Sequence, residues 1–255
     1  MSLRLFASCA LCLALSLLVP PAPIAQAADL VQTVKRVKAA VVGIGTFQAT
    51  RRPPALFKAT GFVVGDGKTA ITNNHVIAKE LDEENREQLS VFVRVGEEIE
   101  RRSARVLHQD PVHDVAVVAF DGAALPTLKL STSPELPEGT LVAFTGFPIG
   151  SILGLYPVTH RGIISAYTPI AIPQISQRQL DVKMIKQLKG GFFVYQLDAT
   201  AYPGNSGSPL YDPATGVVHG IVSSVFVKDT KERVLQDPSG ISYAVPIRHA
   251  VKLLE

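Results

Sequence analysis

The segment Ala201–Leu210, AYPGNSGSPL, places a serine between two glycines in a setting that suits nucleophilic chemistry. Gly204 and Gly207 can adopt backbone conformations closed to other residues, so consecutive N–H groups can converge beside the Ser206 hydroxyl. The N–H groups of Gly204 and Ser206, with Asn205 between them, would form an oxyanion hole for the charge that develops when Ser206 Oγ attacks a carbonyl. Losing one such donor costs about 3 kcal/mol of transition-state stabilisation.

A serine hydroxyl needs a base and a group that orients the base, and both types of residue lie upstream of Ser206. His75 follows a strand-like run that ends in two asparagines, and Asp114 directly precedes the β-branched apolar run Val115–Phe120. Taken alone, each residue has an ordinary structural explanation as a turn residue, a polar histidine or a cap. Together, in the chain order His, Asp, Ser, they predict a catalytic triad.

Six motifs, met in order along the chain, resemble those of the chymotrypsin-like serine peptidases, and within them the bacterial HtrA/Deg branch. They are TNNHVI around His75, DPVHDVAVV around Asp114, GFPIG at 146–150, GIISA at 162–166, QLDATAYPGNSGSPL at 196–210 and GISYAVPI at 240–247. The resemblance covers residues 39–254. It implies an all-β fold of two six-stranded antiparallel β-barrels with short terminal helices, and hydrolysis of peptide bonds through an acyl-enzyme.

The resemblance also implies a pocket for the side chain that precedes the scissile bond. Two segments would line it, namely Thr200, Ala201, Tyr202 and Pro203 before the serine and Val222, Ser223 and Ser224 on a later strand. Thr200 stands at the base, where a trypsin-type enzyme carries a carboxylate, so we expect cleavage after small or apolar residues rather than after Lys or Arg. Two departures from the family pattern are Asn205, in place of an aspartate, and Ser208, in place of a glycine.

Short apolar runs separated by turn residues predict the strands of both barrels. The first set is 41–47, 61–64, 69–72, 89–95, 98–107 and 115–120, and the second is 141–145, 156–165, 192–198, 209–211, 217–226 and 241–245. The arginine- and proline-rich segment 48–60 is predicted to be a loop, and the polar insertion 169–191 a loop beside the active site. Amphipathic spacing predicts helices over 29–40 and 246–254.

The first 27 residues have the features of a secretory signal peptide: one arginine, an apolar run over 5–19 and the sequence AQA before Ala28. We expect cleavage between Ala27 and Ala28, and a periplasmic or extracellular bacterial protein. A retained anchor is the alternative, but the apolar run is short for a membrane span. Cys9 and Cys12 both lie in this segment, so the mature chain would form no disulfide.

Removal of that segment leaves 228 residues (255 − 27), enough for one large or two small domains. We expect the first barrel, with His75 and Asp114, in residues 28–127, and the second, with Ser206 and the final helix, in residues 128–255. The chain ends shortly after that helix, so we expect none of the PDZ domains that HtrA-type enzymes usually append.

The expected partner is a polypeptide substrate, with no membrane contact once the signal is removed. A net charge of +3 without basic clusters interleaved with aromatics argues against nucleic acid. No cofactor or metal is expected, because His108 and His113 lack a convincing ligand set with Asp110 and Asp114, and strand alternation would put His113 and Asp114 on opposite faces. Relatives are often trimers, and this analogy alone implies a homo-oligomer.

Two alternatives to a simple peptidase stay open. One is a catalytically silent relative that serves as a binding or chaperone-like module, although all three triad residues are present. The other is an oxyanion turn that rests in an inactive form until a ligand or partner reorders it. An esterase of the G-x-S-x-G type is disfavoured, because its triad runs Ser, acid, His on an α/β sheet.

Overall fold

The computed structural model describes residues 22–77, 80–150, 154–170, 192–223 and 241–255. The helices are α1 (Ala22–Ala39), α2 (Asn74–Ile77) and α3 (Arg248–Leu254). The strands are β1 (Val41–Phe47), β2 (Ala55–Val64), β3 (Thr69–Thr72), β4 (Gln88–Val95), β5 (Glu98–Asp110), β6 (Val115–Phe120), β7 (Leu141–Gly146), β8 (Val158–Pro169), β9 (Phe193–Asp198), β10 (Pro209–Tyr211), β11 (Val218–Ser223) and β12 (Ile241–Pro246).

The strands form two closed antiparallel barrels. The order is β1-β2-β3-β6-β5-β4 in the first barrel and β10-β11-β12-β9-β8-β7 in the second. Closure leaves no sheet edge unpaired, which removes the usual template for aggregation. The predicted fold of two six-stranded antiparallel barrels with short terminal helices is confirmed.

Strand β6 shows why a strand of this fold can be apolar at every position. All six of its residues are buried. Val118 and Phe120 belong to the core inside the first barrel, whereas Val115 and Val117 belong to a cluster shared with the second barrel. Successive side chains of a strand point to opposite faces, so β6 serves both the barrel interior and the junction between the barrels.

Each barrel has its own core, and a third cluster joins them. The second barrel is filled by large side chains that include Phe144, Ile164, Tyr195, Leu197 and Leu210. The joining cluster combines first-barrel residues with Phe147, Tyr211, Val218, Ile221 and Val245 of the second barrel. This junction fixes the barrels against each other along the surface where the candidate catalytic residues lie.

The prediction of a loop over residues 48–60 is wrong in its second half. Strand β2 begins at Ala55, and its first residues pair with the end of β1, with Ala55 opposite Phe47. A bulge in β2 at Lys58, opposite Ile44 and Gly45, shifts the register of this pairing, and the outer residues of β2 are exposed, so the segment shows no clean alternation. The neighbouring prolines concealed a strand that tertiary pairing stabilises.

Several predictions concern the start of the chain, two internal segments and the domain boundary. Helix α1 begins at Ala22, before the predicted start, and crosses the predicted cleavage position; the signal peptide stays a prediction. Most of the predicted insertion, residues 171–191, and the end of the predicted strand 217–226 lie outside the described residues. The predicted domain boundary after residue 127, which stays a prediction, falls between β6 and β7.

Among the residues described, no helix combines the length and the apolar character needed to cross a bilayer.

Candidate active site

His75 and Asp114 form a directly hydrogen-bonded pair. His75 lies on α2, the single helical turn that follows β3, and Asp114 ends the turn between β5 and β6. The Nδ1 atom of His75 is 2.8 Å from Oδ2 and 3.0 Å from Oδ1 of Asp114, and the His75 N–H donates to Oδ1 at 2.8 Å. Because a carboxylate only accepts hydrogen bonds, this geometry favours the imidazole with its proton on Nδ1. Nε2 is then the atom that can receive a proton.

The backbone of Asp114 explains how it turns away from its neighbour in the chain. Its φ angle is 56°, in the left-handed region that aspartate tolerates better than most residues. The expectation that strand alternation separates His113 from Asp114 is wrong in its premise, because neither residue is in a strand. The two side chains do go to different partners, His113 to Asp110 and Asp114 to His75.

The Asp114 carboxylate is buried, with 9% of the residue exposed, and hydrogen bonds satisfy it from both barrels. The hydroxyl of Ser223, at the end of β11, donates to Oδ2 at 3.0 Å. The amide of Asn73 donates to the Asp114 carbonyl oxygen at 2.9 Å. Buried charges are tolerated when hydrogen-bonded in this way. Ser223, predicted as a pocket residue, is thus placed on the carboxylate, and the role of Asn73 was missed.

The segment around Ser206 is pinned against both barrels by its backbone. Ser206 is 3% exposed, and its carbonyl oxygen accepts from the Thr60 N–H at 2.9 Å. The Gly207 N–H donates to Val222 at 2.8 Å, and the Val222 N–H donates to Ser208 at 2.9 Å. Since Ser223 follows Val222 and binds Asp114, the strand that holds the serine segment also holds the carboxylate.

Gly207 is required by close backbone contact. Its φ is 84°, and a Cβ atom there would lie 2.0 Å from the Thr60 carbonyl oxygen and 2.5 Å from Thr72 Oγ1. Thr72 ends β3, three residues before His75. The serine segment therefore passes directly over the strand that presents the histidine, and only glycine allows this approach.

The peptide groups that carry the N–H of Gly204 and the N–H of Ser206 are held by hydrogen bonds at their carbonyl oxygens. The Pro203 carbonyl oxygen accepts from the Ile149 N–H at 2.7 Å, and the Asn205 carbonyl oxygen accepts from the Ser208 N–H at 3.0 Å. In a trans peptide the N–H points opposite to the C=O. The N–H groups of Gly204 and Ser206 therefore point away from these internal partners. Within the described part of the chain, the Gly204 N–H donates no hydrogen bond.

Gly204 takes a φ of 99°, and the Asn205 N–H closes a turn onto Tyr202 at 3.0 Å. Proline followed by a glycine with positive φ is the signature of a type II turn. A Cβ atom on Gly204 would lie 2.4 Å from the Phe147 carbonyl oxygen, so the turn packs tightly on the loop after β7. This turn sets the orientation of the Gly204 N–H.

Thr60, on β2, is the residue that sequence analysis missed most plainly. Its Oγ1 donates to the Gly204 carbonyl oxygen at 2.7 Å and accepts from the Phe147 N–H at 3.0 Å. Its N–H binds Ser206, and its carbonyl oxygen accepts from Thr72 Oγ1 at 2.7 Å. One fully buried side chain thus ties the turn at Gly204 to the first barrel.

The two departures from the family pattern lie together beneath the serine. Among the described residues, neither the buried side-chain amide of Asn205 nor the Ser208 hydroxyl has a hydrogen-bond partner. A Cβ atom on Gly146 would lie 2.0 Å from Ser208 Oγ and 2.9 Å from Asn205 Oδ1. The extra side chain at Ser208 is therefore accommodated by the missing side chain at Gly146.

The predicted pocket residues divide between the half-buried segment before Gly204 and the core of the second barrel, which contains Ala201 and Val222. The Ala201 N–H donates to Ser242 Oγ at 2.7 Å, and the ring of Tyr202 lies 6.2 Å from that of His160. Burial lowers the pKa of His160, so its imidazole is neutral near pH 7. Val222 is fully buried, whereas Thr200 and Pro203 are half-buried. Ser224 lies outside the described residues.

Two barrels that bring a His–carboxylate pair and a glycine-flanked serine to their junction define the trypsin-like class of folds. The chain belongs to the family described as the trypsin-like peptidase domain, whose sequence profile matches residues 59–221. The predicted resemblance to the HtrA/Deg branch is confirmed by the relatives that follow.

Two relatives carry the name probable periplasmic serine endoprotease DegP-like. The protein from Pseudomonas fluorescens is 32% identical over 197 residues, which are 77% of this chain and 34% of that protein. The protein from Halomonas elongata is 32% identical over 196 residues, again 77% and 34%. The chain thus spans about a third of the length of these curated relatives.

Two solved structures of serine proteases also match the fold of this chain. The HtrA-type protease AlgW with a tripeptide matches with a TM-score of 0.59 and 25% identity, over 88% of this chain and 61% of AlgW. The serine endoprotease from Yersinia pestis matches with a TM-score of 0.58 and 25% identity, over 88% of this chain and 64% of that one.

Proposed function

We propose that this protein is an exported serine endopeptidase, with Ser206 as nucleophile, His75 as general base and Asp114 as the group that orients the base. The observation that carries the proposal is the His75–Asp114 pair, held by Ser223 of the second barrel on the same strand that binds the serine segment. The names of the relatives, periplasmic serine endoproteases, support it.

The reaction would proceed in two steps, acylation of Ser206 and then deacylation by water, and His75 would accept and return one proton in each. As Ser206 Oγ attacks the carbonyl carbon, its proton passes to His75 Nε2, and the Nδ1–H bond to Asp114 stabilises the imidazolium. The oxyanion accepts from the N–H groups of Gly204 and Ser206. When the tetrahedral species collapses, His75 gives its proton to the leaving amine and an acyl-enzyme forms. Water, deprotonated by His75, then releases the acid and restores Ser206.

Specificity is proposed from the residues around the oxyanion turn. Thr200, Tyr202 and Pro203, the half-buried members of the predicted pocket, bring no charged side chain to it. Such a pocket favours small or apolar side chains before the scissile bond. Export through the segment 1–27 and assembly into a homo-oligomer belong to the same proposal; N-terminal sequencing of the secreted protein and light scattering test them.

The test is digestion of an unfolded protein such as casein by the exported, purified protein and by two variants. Ser206→Ala should lower kcat/KM by at least ~10⁴-fold, because the nucleophile is lost. The matched control is Ser208→Ala, which removes a hydroxyl two residues away without removing a hydrogen bond and should keep activity within about threefold.

Three results would decide the matter. Peptides released by the parent and the Ser208→Ala variant, but not by Ser206→Ala, support the proposal, and their termini map the pocket. Equal release by Ser206→Ala contradicts it. No release by any protein, with no labelling of Ser206 by a fluorophosphonate, contradicts it as well and favours the silent or partner-activated alternative.

A further inference from the structure

A second cluster of ionisable side chains lies behind the candidate active site. Asp110 ends β5, His113 lies in the turn before β6, and His249 lies in the first turn of α3. One nitrogen or carboxylate oxygen from each residue lies within 4.8 Å of the others. His249 is far from the other two in the chain, and only the packing of α3 against β5 and β6 brings it there.

His249 is the residue that makes this cluster unusual. It is 7% exposed, yet its buried Nε2 atom has no hydrogen-bond partner in the described ranges of the chain. An unsatisfied buried polar atom destabilises a fold, so a partner for this nitrogen is expected. Its ring stacks on that of His113 at 3.8 Å between centroids and meets Phe192 edge-on, so the imidazole packs against another ligand-type side chain.

We propose that Asp110, His113 and His249 bind a divalent transition-metal cation of the Zn²⁺ type. Two imidazoles and one carboxylate are a ligand set that such cations prefer, and three protein ligands leave a fourth position for water. The cluster links α3 to the turn that presents Asp114, so the cation would join these two elements.

His113 already contacts Asp110, a second proposed ligand of the cation. Its Nδ1 is 2.5 Å from Asp110 Oδ2, so a nitrogen and an oxygen ligand already face each other, and a cation would take the place of the proton between them. Burial, with the nearby His113 and Arg248, lowers the pKa of His249 to about 4, and its imidazole is therefore neutral, as a metal ligand must be. Binding requires the two stacked rings to turn about their Cβ–Cγ bonds until one nitrogen of each faces the cation.

The test is calorimetric titration of metal-stripped protein with Zn²⁺ alone. A His75→Ala background removes the catalytic histidine as a competing ligand. We expect saturable binding of one Zn²⁺ per chain, weakened at least ~100-fold by His113→Ala and by Asp110→Ala. The matched control is at His108, an exposed histidine two residues before Asp110 on β5, and His108→Ala should bind as the background protein does.

A second readout separates binding from folding. His113 and Asp110 are partly exposed, so their variants should fold where the buried His249→Ala fails, and circular dichroism checks this. Zn²⁺ should raise the Tm of the background protein and of His108→Ala but not of His113→Ala. The proposal is overturned if His113→Ala binds and is stabilised like the background protein, or if no saturable binding occurs at millimolar Zn²⁺.

Discussion

Two histidine–carboxylate pairs lie side by side in this protein and have different surroundings. In the first, His75 Nδ1 is 2.8 Å from Asp114; in the second, His113 Nδ1 is 2.5 Å from Asp110. The first joins residues far apart in the chain and is bound by Ser223 of the second barrel, whereas the second is a local pair three residues apart. The two pairs therefore differ less in distance than in the groups that surround them.

The same substitution in each of the two carboxylates tests most directly whether the two pairs differ in function. Asp114→Asn should lower kcat/KM by about 10⁴-fold, because an amide cannot hold the Nδ1–H tautomer of His75. Asp110→Asn should leave kcat/KM within about threefold, since Asp110 pairs with His113 and not with His75. Peptidase kinetics on both variants, with circular dichroism for folding, makes the test; comparable losses would show that the pairs are not functionally distinct.

The next largest effect is expected at Thr60, whose hydroxyl holds the oxyanion turn beside the first pair. Thr60→Val keeps the shape but removes the bonds to Gly204 and Phe147. We expect kcat to fall by roughly 30-fold, about 2 kcal/mol, with KM little changed, because the turn acts on the transition state. Thr69→Val, whose hydroxyl donates to the surface residue Asp66, is the control. A rise in KM at unchanged kcat would contradict this role.

Glu87 forms an ion pair with an arginine, Arg51, instead of a histidine, and we expect this pair to contribute to stability and not to activity. The hydrogen bond from Thr46, with help from Arg51, lowers the pKa of Glu87 from its ordinary value of 4.5 to about 2. A lowered folded-state pKa stabilises the fold above the unfolded-state value, and this stability is lost as the pH falls through the folded-state value.

Glu87→Gln should therefore lower the free energy of unfolding by about 2 kcal/mol at pH 7. The difference from the parent should shrink as the pH falls from about 4.5 towards 2, while activity at pH 7 stays unchanged. Urea unfolding at a series of pH values measures it. A difference that is independent of pH would mean that packing, and not the charge of Glu87, is responsible.

The smallest effect is expected from Ser223, which donates to the Asp114 carboxylate across the junction of the barrels. Ser223→Ala should lower kcat by about fivefold to tenfold, near 1 kcal/mol, because two other hydrogen bonds from His75 still orient the carboxylate. Ser208→Ala is again the control. A loss as large as that of Asp114→Asn would contradict this and mean that the Ser223 hydrogen bond is as necessary to the pair as the carboxylate itself.

How much of this could be predicted from the sequence depends on the range of the contacts involved. Strands β3, β6 and β10 were predicted with their observed ends, since apolar runs bounded by turn residues are local signals. The first half of β2 was missed because its pattern is broken by a bulge and by prolines nearby.

The candidate site divides in the same way. His75, Asp114 and Ser206 could be selected because each sits in a recognisable local motif. Thr60 could not, because its partners Gly204 and Phe147 lie 144 and 87 residues away and nothing around a threonine in β2 marks them. His249 joins Asp110 and His113 only through the docking of α3, for the same reason.

The most direct test of the account is the rate at which a fluorophosphonate labels Ser206, followed by mass spectrometry of the modified peptide. The parent protein and His113→Ala should be labelled at similar rates, whereas His75→Ala should be labelled at least ~10³-fold more slowly, since only the first pair activates the serine. Labelling of His75→Ala at the parent rate, or no labelling of the parent, would contradict the assignment of His75, Asp114 and Ser206 as one catalytic unit.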